Sequence, residues 1–279
     1  MDRDELLRAG DDNLAATMRL YAATAPGAVL EEDDALLLFS TSRTWPSPYH
    51  NGAIRLDPAL APAHVLERAG AFFADGPGYC LWIAAHCDAD LERDALGAGL
   101  AQVSATGAPR LALDHRIDAG HAGSGVTLDE VTDEAGRRDL LEVTVAAYAE
   151  TLLPPDAAEA QLSSLRAVRG PEVRAVVARD EGRPVAAATV VASGAVAGIQ
   201  MVGTVPDARG RGLAELCTRW AVGAGFDFGA DAIVLEASEA GEPLYLRLGF
   251  VEVSRYRWCF GPPPATPPRS ATPGRRGRG

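Results

Sequence analysis

Apolar residues recur at helical spacing from Asp2 to about Thr24, where Leu6, Leu7, Leu14, Met18 and Tyr21 fall near one face. Short apolar runs follow at Ala35–Thr41 and Gly52–Leu56, which predict strands. Between them lies Trp45-Pro-Ser-Pro-Tyr-His-Asn-Gly52, a loop by its Pro and Gly content. Pro62 to Ala74 reads as a helix with Pro near its start, Tyr79–Ala85 as a buried strand, and Asp88 to Ala98 as a helix closed by Gly99. Arg110–Asp114 predicts a further strand. The polar stretch from His115 to Ser124 then marks a domain boundary.

The second half alternates more regularly. Thr132 to Glu150 is a predicted helix stopped by Pro154-Pro155, and Asp156 to Leu165 is a second. Val173–Arg179 and Val185–Ala192 read as strands joined by the turn Asp180-Glu-Gly-Arg183, with Ala197–Thr204 as a third. Arg209 to Phe228 is a long amphipathic helix carrying Leu213, Leu216, Trp220, Ala221 and Ala224 on one side. A strand at Ala232–Ala237, a short helix at Pro243–Leu248 and a strand at Phe250–Phe260 complete the half. Hairpins precede crossover helices, so the fold class is α+β, a mixed sheet with flanking helices.

A chain of 279 residues fits about two domains at roughly 100–150 residues each. Its 47% apolar content excludes disorder throughout. Acidic residues outnumber basic ones by 38 to 26, a net charge of −12, and nucleic acid is therefore not expected as a partner. All the basic residues are Arg, a compositional bias with no functional content. Pro184 to Pro206 holds no charged residue, but Ser193-Gly194 interrupts it, so a β-hairpin is expected and not a membrane span. The opening Met-Asp-Arg-Asp-Glu lacks the basic and apolar regions of a signal peptide. Cys80, Cys87, Cys217 and Cys259 form no C-x-x-C pair, and Cys80, His86 and Cys87 do not show zinc-site spacing; inert thiols and no metal are expected, in a bacterial cytoplasm. Residues 261–279 are Pro-, Gly- and Arg-rich, the composition of a disordered tail.

The run that carries chemistry is Gly203-Thr-Val-Pro-Asp-Ala-Arg-Gly-Arg-Gly-Leu-Ala-Glu-Leu216. A strand ends there, a Gly-rich turn follows and a long helix begins. The first N–H groups of a helix are unsatisfied and its dipole is positive at that end, which suits a phosphate or diphosphate. A Walker A loop is excluded because the chain has no Lys. A dinucleotide fingerprint is excluded because Glu215 stands where its third Gly belongs.

Arg209-x-x-Gly212-x-Ala214 matches the Q/R-x-x-G-x-G/A signature of the GNAT N-acetyltransferase superfamily. Ser238-Glu-Ala-Gly-Glu-Pro-Leu-Tyr-Leu-Arg-Leu-Gly-Phe250 resembles the family's final signature, usually ending Leu-Tyr-x-x-x-Gly-Phe. The resemblance covers about Val126 to Phe260. It implies a mixed, mostly antiparallel GNAT sheet and acetyl-CoA as cosubstrate. Val202, Gly203 and Thr204 would offer backbone bonds to the acetyl and pantetheine groups, and the amides of Arg209, Gly210, Arg211, Gly212, Leu213 and Ala214 would hold the diphosphate. Tyr245 stands where the family keeps the tyrosine that protonates the departing thiolate, although packing of its ring also accounts for it. Ser238 replaces a frequent Asn near the pantetheine. A carboxylate could act as base, and Glu236 or Glu239, three residues further on, would serve, though both also read as surface charges.

Leu91 to Leu100 echoes Glu242–Phe250, with Ala95 in place of Tyr245 and no diphosphate loop before the helix at Pro62. The first half is thus expected to be a degenerate GNAT-like repeat. The expected organisation is a degenerate domain at 1–118, a catalytic domain at 125–260 and the tail, as two tandem GNAT-like domains. Trp45, Tyr49 and His50 would line an acceptor cleft or simply belong to loop and core. The implied activity is acetyl (or acyl) transfer to an amine of a small molecule or peptide, by a monomer or homodimer. The alternative is a non-catalytic acyl-CoA-binding sensor or scaffold.

Overall fold

A computed structural model of the chain describes residues 1–41, 50–104, 106–149, 153 and 155–261. Trp45, Tyr49 and the predicted tail beyond Gly261 lie outside them.

Helix α1 (Arg3–Thr24) opens with a capping box: the Asp2 side chain accepts from the Glu5 amide, and the Glu5 side chain accepts from the Asp2 amide. Such a cap stabilises a helix start by about 1 kcal/mol. The strands β1 (Val29–Glu32), β2 (Leu36–Ser40) and β3 (Asn51–Arg55) form a meander, and α2 (Pro62–Phe72) crosses over to β4 (Tyr79–Ala84). After α3 (Ala89–Gly97) come β5 (Ala101–Gln102) and β6 (Ala108–Leu113). The second half runs β7 (Val126–Glu130), α4 (Glu134–Tyr148), α5 (Pro155–Gln161), β8 (Val173–Asp180), β9 (Arg183–Ser193), β10 (Val196–Thr204), α6 (Leu213–Asp227), β11 (Ala232–Glu236), α7 (Glu242–Arg247) and β12 (Val251–Gly261). The charge-free stretch is the β9–β10 hairpin, turning at Gly194 with φ +57°. Among the described residues no helix is long and apolar enough to cross a membrane.

All the strands join one sheet, in the order β1-β2-β3-β4-β12-β6-β11-β10-β9-β8-β7, with β5 also against β12. The sheet is α+β and mixed: β3/β4 and β10/β11 are parallel, the other pairs antiparallel. The two halves exchange their last strands. β6, from the first half, lies between β11 and β12; β12, from the second, lies between β4 and the β5–β6 pair. Each core follows suit. Leu111 and Leu113 are buried with α4, α6 and the β8–β10 strands, whereas Cys259 is buried with Leu81, Leu91 and Leu100.

Three strands had no clear apolar pattern. β1 is exposed throughout and β7 almost so, because they are the two edges of the sheet and carry acidic residues. Charged edge strands discourage pairing with other chains. The third, β5, has two residues. Gly261, expected in the tail, pairs with Tyr79 as the last residue of β12; a Cβ there would lie 2.5 Å from the Tyr79 ring.

The Gly-Phe ending of the α7 segment has a plain backbone cause. Gly249 adopts φ +95°, the Phe250 amide donates to the Tyr245 carbonyl at 3.1 Å, and the Gly249 amide donates to Leu246 at 3.1 Å. This is a Schellman cap, and its usual apolar contact is the Tyr245–Phe250 ring pair, 5.9 Å between centroids. α3 ends identically, with Gly99 at φ +89° and the Leu100 amide on the Ala95 carbonyl. The sequence echo between the halves is therefore a shared helix terminator.

Candidate active site

The site forms where β10 and β11 part. They pair over Val196–Gly198 and Ala232–Val234 and then diverge, while β10 stays on β9 and β11 stays on β6. The divergence coincides with a bulge between Gln200 and Gly203, in which Met201 takes φ +55°. A bulge twists a strand and re-aims its groups. α4 packs close beneath: a Cβ on Gly203 would stand 2.7 Å from Ala147 Cβ, so glycine is required there by the helix. The Tyr148 hydroxyl donates to the Val202 carbonyl at 2.8 Å.

Below the strand end, Pro206–Ala208 form a short 3-10 turn, and Gly210 and Gly212 adopt φ +76° and +78°. L-residues resist that region by about 1–2 kcal/mol, which explains both glycines. The helix starts at Leu213, four residues later than its apolar pattern predicts, because residues 209–212 form the turn. Gly212 is the N-cap and no side chain caps the helix. Its first amides thus lack partners within the helix, and a Cβ at Gly210 or Gly212 would meet nothing within 4 Å. Glu215, the acid in the first turn, is held by Arg219 at 2.9 Å. Arg209 turns away, donating to the Thr204 and Ala147 carbonyls at 3.3 and 3.1 Å, and Arg211 pairs with Asp180.

Across the opening, the Gly241 and Glu242 amides donate to the Ser238 carbonyl, and the Gly241 amide also lies 3.2 Å from Ser238 Oγ. Tyr245 is buried, with its ring edge and Ser238 Oγ both beside Gly241. Burial, reinforced by Tyr148, pushes the Tyr245 hydroxyl well above the usual phenol range, so it keeps its proton. Burial likewise pushes Tyr148 up to about 12. Nothing in the sequence marks Tyr148, which ends α4 among alanines.

Glu236 lies at the end of β11 with its side chain 5% exposed. Its Oε1 accepts from both Nε and NH2 of Arg110, at 2.9 and 2.7 Å. Arg110 is fully buried and also donates to Asp11 Oδ1 at 2.6 Å, with its guanidinium 4.5 Å from the Tyr256 ring centroid. Burial opposes the Arg110 charge, but Tyr256, Glu236 and Asp11 outweigh it. Glu239 is exposed at the surface. His50 is buried, with Nδ1 2.8 Å from Thr41 Oγ1 and, among the described residues, no partner for Nε2. Burial lowers its pKa to about 4.

The model of the acetyltransferase (GNAT) family matches residues 138–250. The second half carries a GNAT domain. A GCN5-related N-acetyltransferase from Kribbella flavida superposes with a TM-score of 0.67 at 21% identity, over 89% of this chain and 94% of that one. A second, from Sphaerobacter thermophilus, gives 0.57 at 16%, over 90% of each. A tandem GNAT protein from the clavulanic acid biosynthesis pathway gives 0.54 at 15%, over 90% and 93%. At these identities the likeness is one of fold, and it spans both halves: the chain has the tandem GNAT fold. No curated protein matches the sequence.

Proposed function

We propose that the GNAT domain transfers an acetyl or other acyl group from acyl-CoA to an amine of a small molecule or peptide. The observation that carries this reading is the uncapped start of α6, reached through two left-handed glycines directly below diverging parallel strands. The amides of residues 210–214 are free to bind a diphosphate, the opening between β10 and β11 takes the pantetheine arm beside Ser238, and the thioester reaches the bulge at residues 201–203. There an amine attacks the carbonyl carbon, and main-chain N–H groups stabilise the oxyanion. When the C–S bond breaks, Tyr245 donates its proton to the thiolate.

Glu236 has a different place in this scheme from the base expected of it. Its Oε1 is occupied by two bonds from Arg110 and its side chain is buried, so it is committed to that pairing. We assign it to holding the end of β11, and the amine proton leaves through water. Residues 1–118 supply β6 to this domain and close the acceptor side. A cytoplasmic setting suits the use of acyl-CoA.

Calorimetry with CoA, followed by CoA release from acetyl-CoA with a panel of small and peptide amines, tests the reading. Binding with turnover on at least one amine is expected. Binding without turnover on any amine turns the assignment to an acyl-CoA sensor, and no binding removes it.

A further inference from the structure

The first half holds a cavity of about 620 Å³ just beyond its own parallel pair β3/β4, walled by Ile54, Arg55, Leu56 and α1. We infer that Asp11, His86 and Cys87, on the wall of this cavity, form a binding site for one Zn²⁺ ion. Their ligand atoms all lie within 4.8 Å of one another. A four-coordinate Zn²⁺ with bonds of about 2.0–2.3 Å holds its ligand atoms roughly 3–4 Å apart, so small side-chain adjustments suffice. Asp11 is 75 residues from His86 in sequence, which is why Cys and His spacing alone did not reveal the set.

Neighbouring groups orient the three residues, and the binding atoms of Asp11 and His86 face each other. The turn bearing His86 and Cys87 is tied by the Cys87 and Asp88 amides to the Ala84 carbonyl at 3.1 and 2.8 Å, and by the Ala84 amide to Asp88 Oδ2 at 2.9 Å. Arg55 holds Asp88 and also donates to the Cys87 carbonyl at 3.2 Å. Asp11 Oδ1 accepts from Arg110 and from the Tyr256 hydroxyl, leaving Oδ2 towards His86. His86 Nδ1 is 2.8 Å from Ser254 Oγ, and its Nε2 is 2.9 Å from Asp11 Oδ2. In the metal-free chain Nε2–H donates to Asp11 Oδ2 and Nδ1 accepts from the Ser254 hydroxyl; when a metal takes Nε2, the ring proton moves to Nδ1, where Ser254 Oγ can accept it. Such outer bonds orient the ligands of metal sites.

The donor set selects the metal. A thiolate and an imidazole favour Zn²⁺ over Mg²⁺ or Ca²⁺, which take oxygen ligands. On binding, the ion replaces the Asp11–His86 hydrogen bond and the Cys87 thiol proton, which passes to solvent. One thiolate and one carboxylate then balance its charge. The fourth position faces the cavity and is left for water or a small anionic ligand.

Co²⁺ is the probe. Titrated into the reduced, chelator-treated full chain, it is expected to bind at one equivalent, with a thiolate-to-metal charge-transfer band and the strong visible bands of four-coordination, and Zn²⁺ is expected to displace it. Cys87→Ser should remove the charge-transfer band, and His86→Gln should weaken binding at least about tenfold. Circular dichroism checks that each variant is folded. His86→Gln carries the test if Cys87→Ser does not fold. No charge-transfer band in the intact chain, a band that survives Cys87→Ser, or unchanged affinity in His86→Gln overturns the site. None of these outcomes bears on CoA binding.

Discussion

In the first half β3 and β4 run parallel over Gly52–Ile54 and Cys80–Trp82 before parting; in the second, β10 and β11 do so over Val196–Gly198 and Ala232–Val234. Both pairs are followed by a helix that ends in a Schellman cap. Beyond this common frame the two differ at each position that would handle a ligand. The residue after the last parallel pair is Ile199 in the second half and Arg55 in the first. Arg55 is wholly buried, bonded to Asp88, Asp90 and two carbonyls. α6 starts from two left-handed glycines, whereas α2 starts from Ala61-Pro62, and Tyr245 is matched by Ala95. The backbone frame and the residues for acyl transfer are thus separable. The first persists wherever a glycine can close a helix and a strand pair can part; the second needs particular side chains.

The comparison is broken most strongly by giving the first half the second half's residue. Arg55→Ile leaves Asp88, 3% exposed, without its cation. A loss of about 3–5 kcal/mol is expected, read by chemical denaturation; adding Asp88→Ala should recover part of it, and a neutral single variant would show that the ion pair is not structural. Acid separates the halves next. His50 has its pKa lowered to about 4 in the folded chain by burial, against about 6.5 unfolded. Stability is therefore complete above pH 6.5 and falls as the pH drops towards 4, because only the unfolded chain takes up the proton. The loss approaches about 3 kcal/mol, and His50→Gln should flatten the curve over that range.

Smaller effects sharpen the contrast within the proposed site. Tyr245→Phe, which takes the second half towards Ala95, should lower turnover about 100-fold while leaving CoA affinity unchanged. Equal rates would leave Tyr245 as packing against Phe250. Gly212→Val, which forces a branched residue to φ +78°, should weaken CoA binding about tenfold in calorimetry. The same affinity as the parent chain would remove the turn from the site.

How much of this the sequence declared follows from where each feature's cause lies. Val-rich runs such as Val173–Arg179 and Val185–Ala192 are buried strands, so apolar content marks them. The edge strands β1 and β7 touch water and show no such mark. Gly210 and Gly212 are legible because their cause is local, a left-handed backbone. Glu236 is not, since its setting depends on Arg110, 126 residues away, and the strand exchange that joins them leaves no periodic trace. Tyr148 meets Val202 across 54 residues and is hidden for the same reason.

The exchanged strands constrain how the chain can be made. As the polypeptide leaves the ribosome, β4 has been synthesised long before β12, its neighbour in the finished sheet. β6 likewise waits for β11 and β12. The amino-terminal portion therefore cannot mature during translation as an independent unit. A nascent chain halted after Phe250 would leave the inner borders of β4 and β6 unpaired and open to self-association until residues 251–261 arrive.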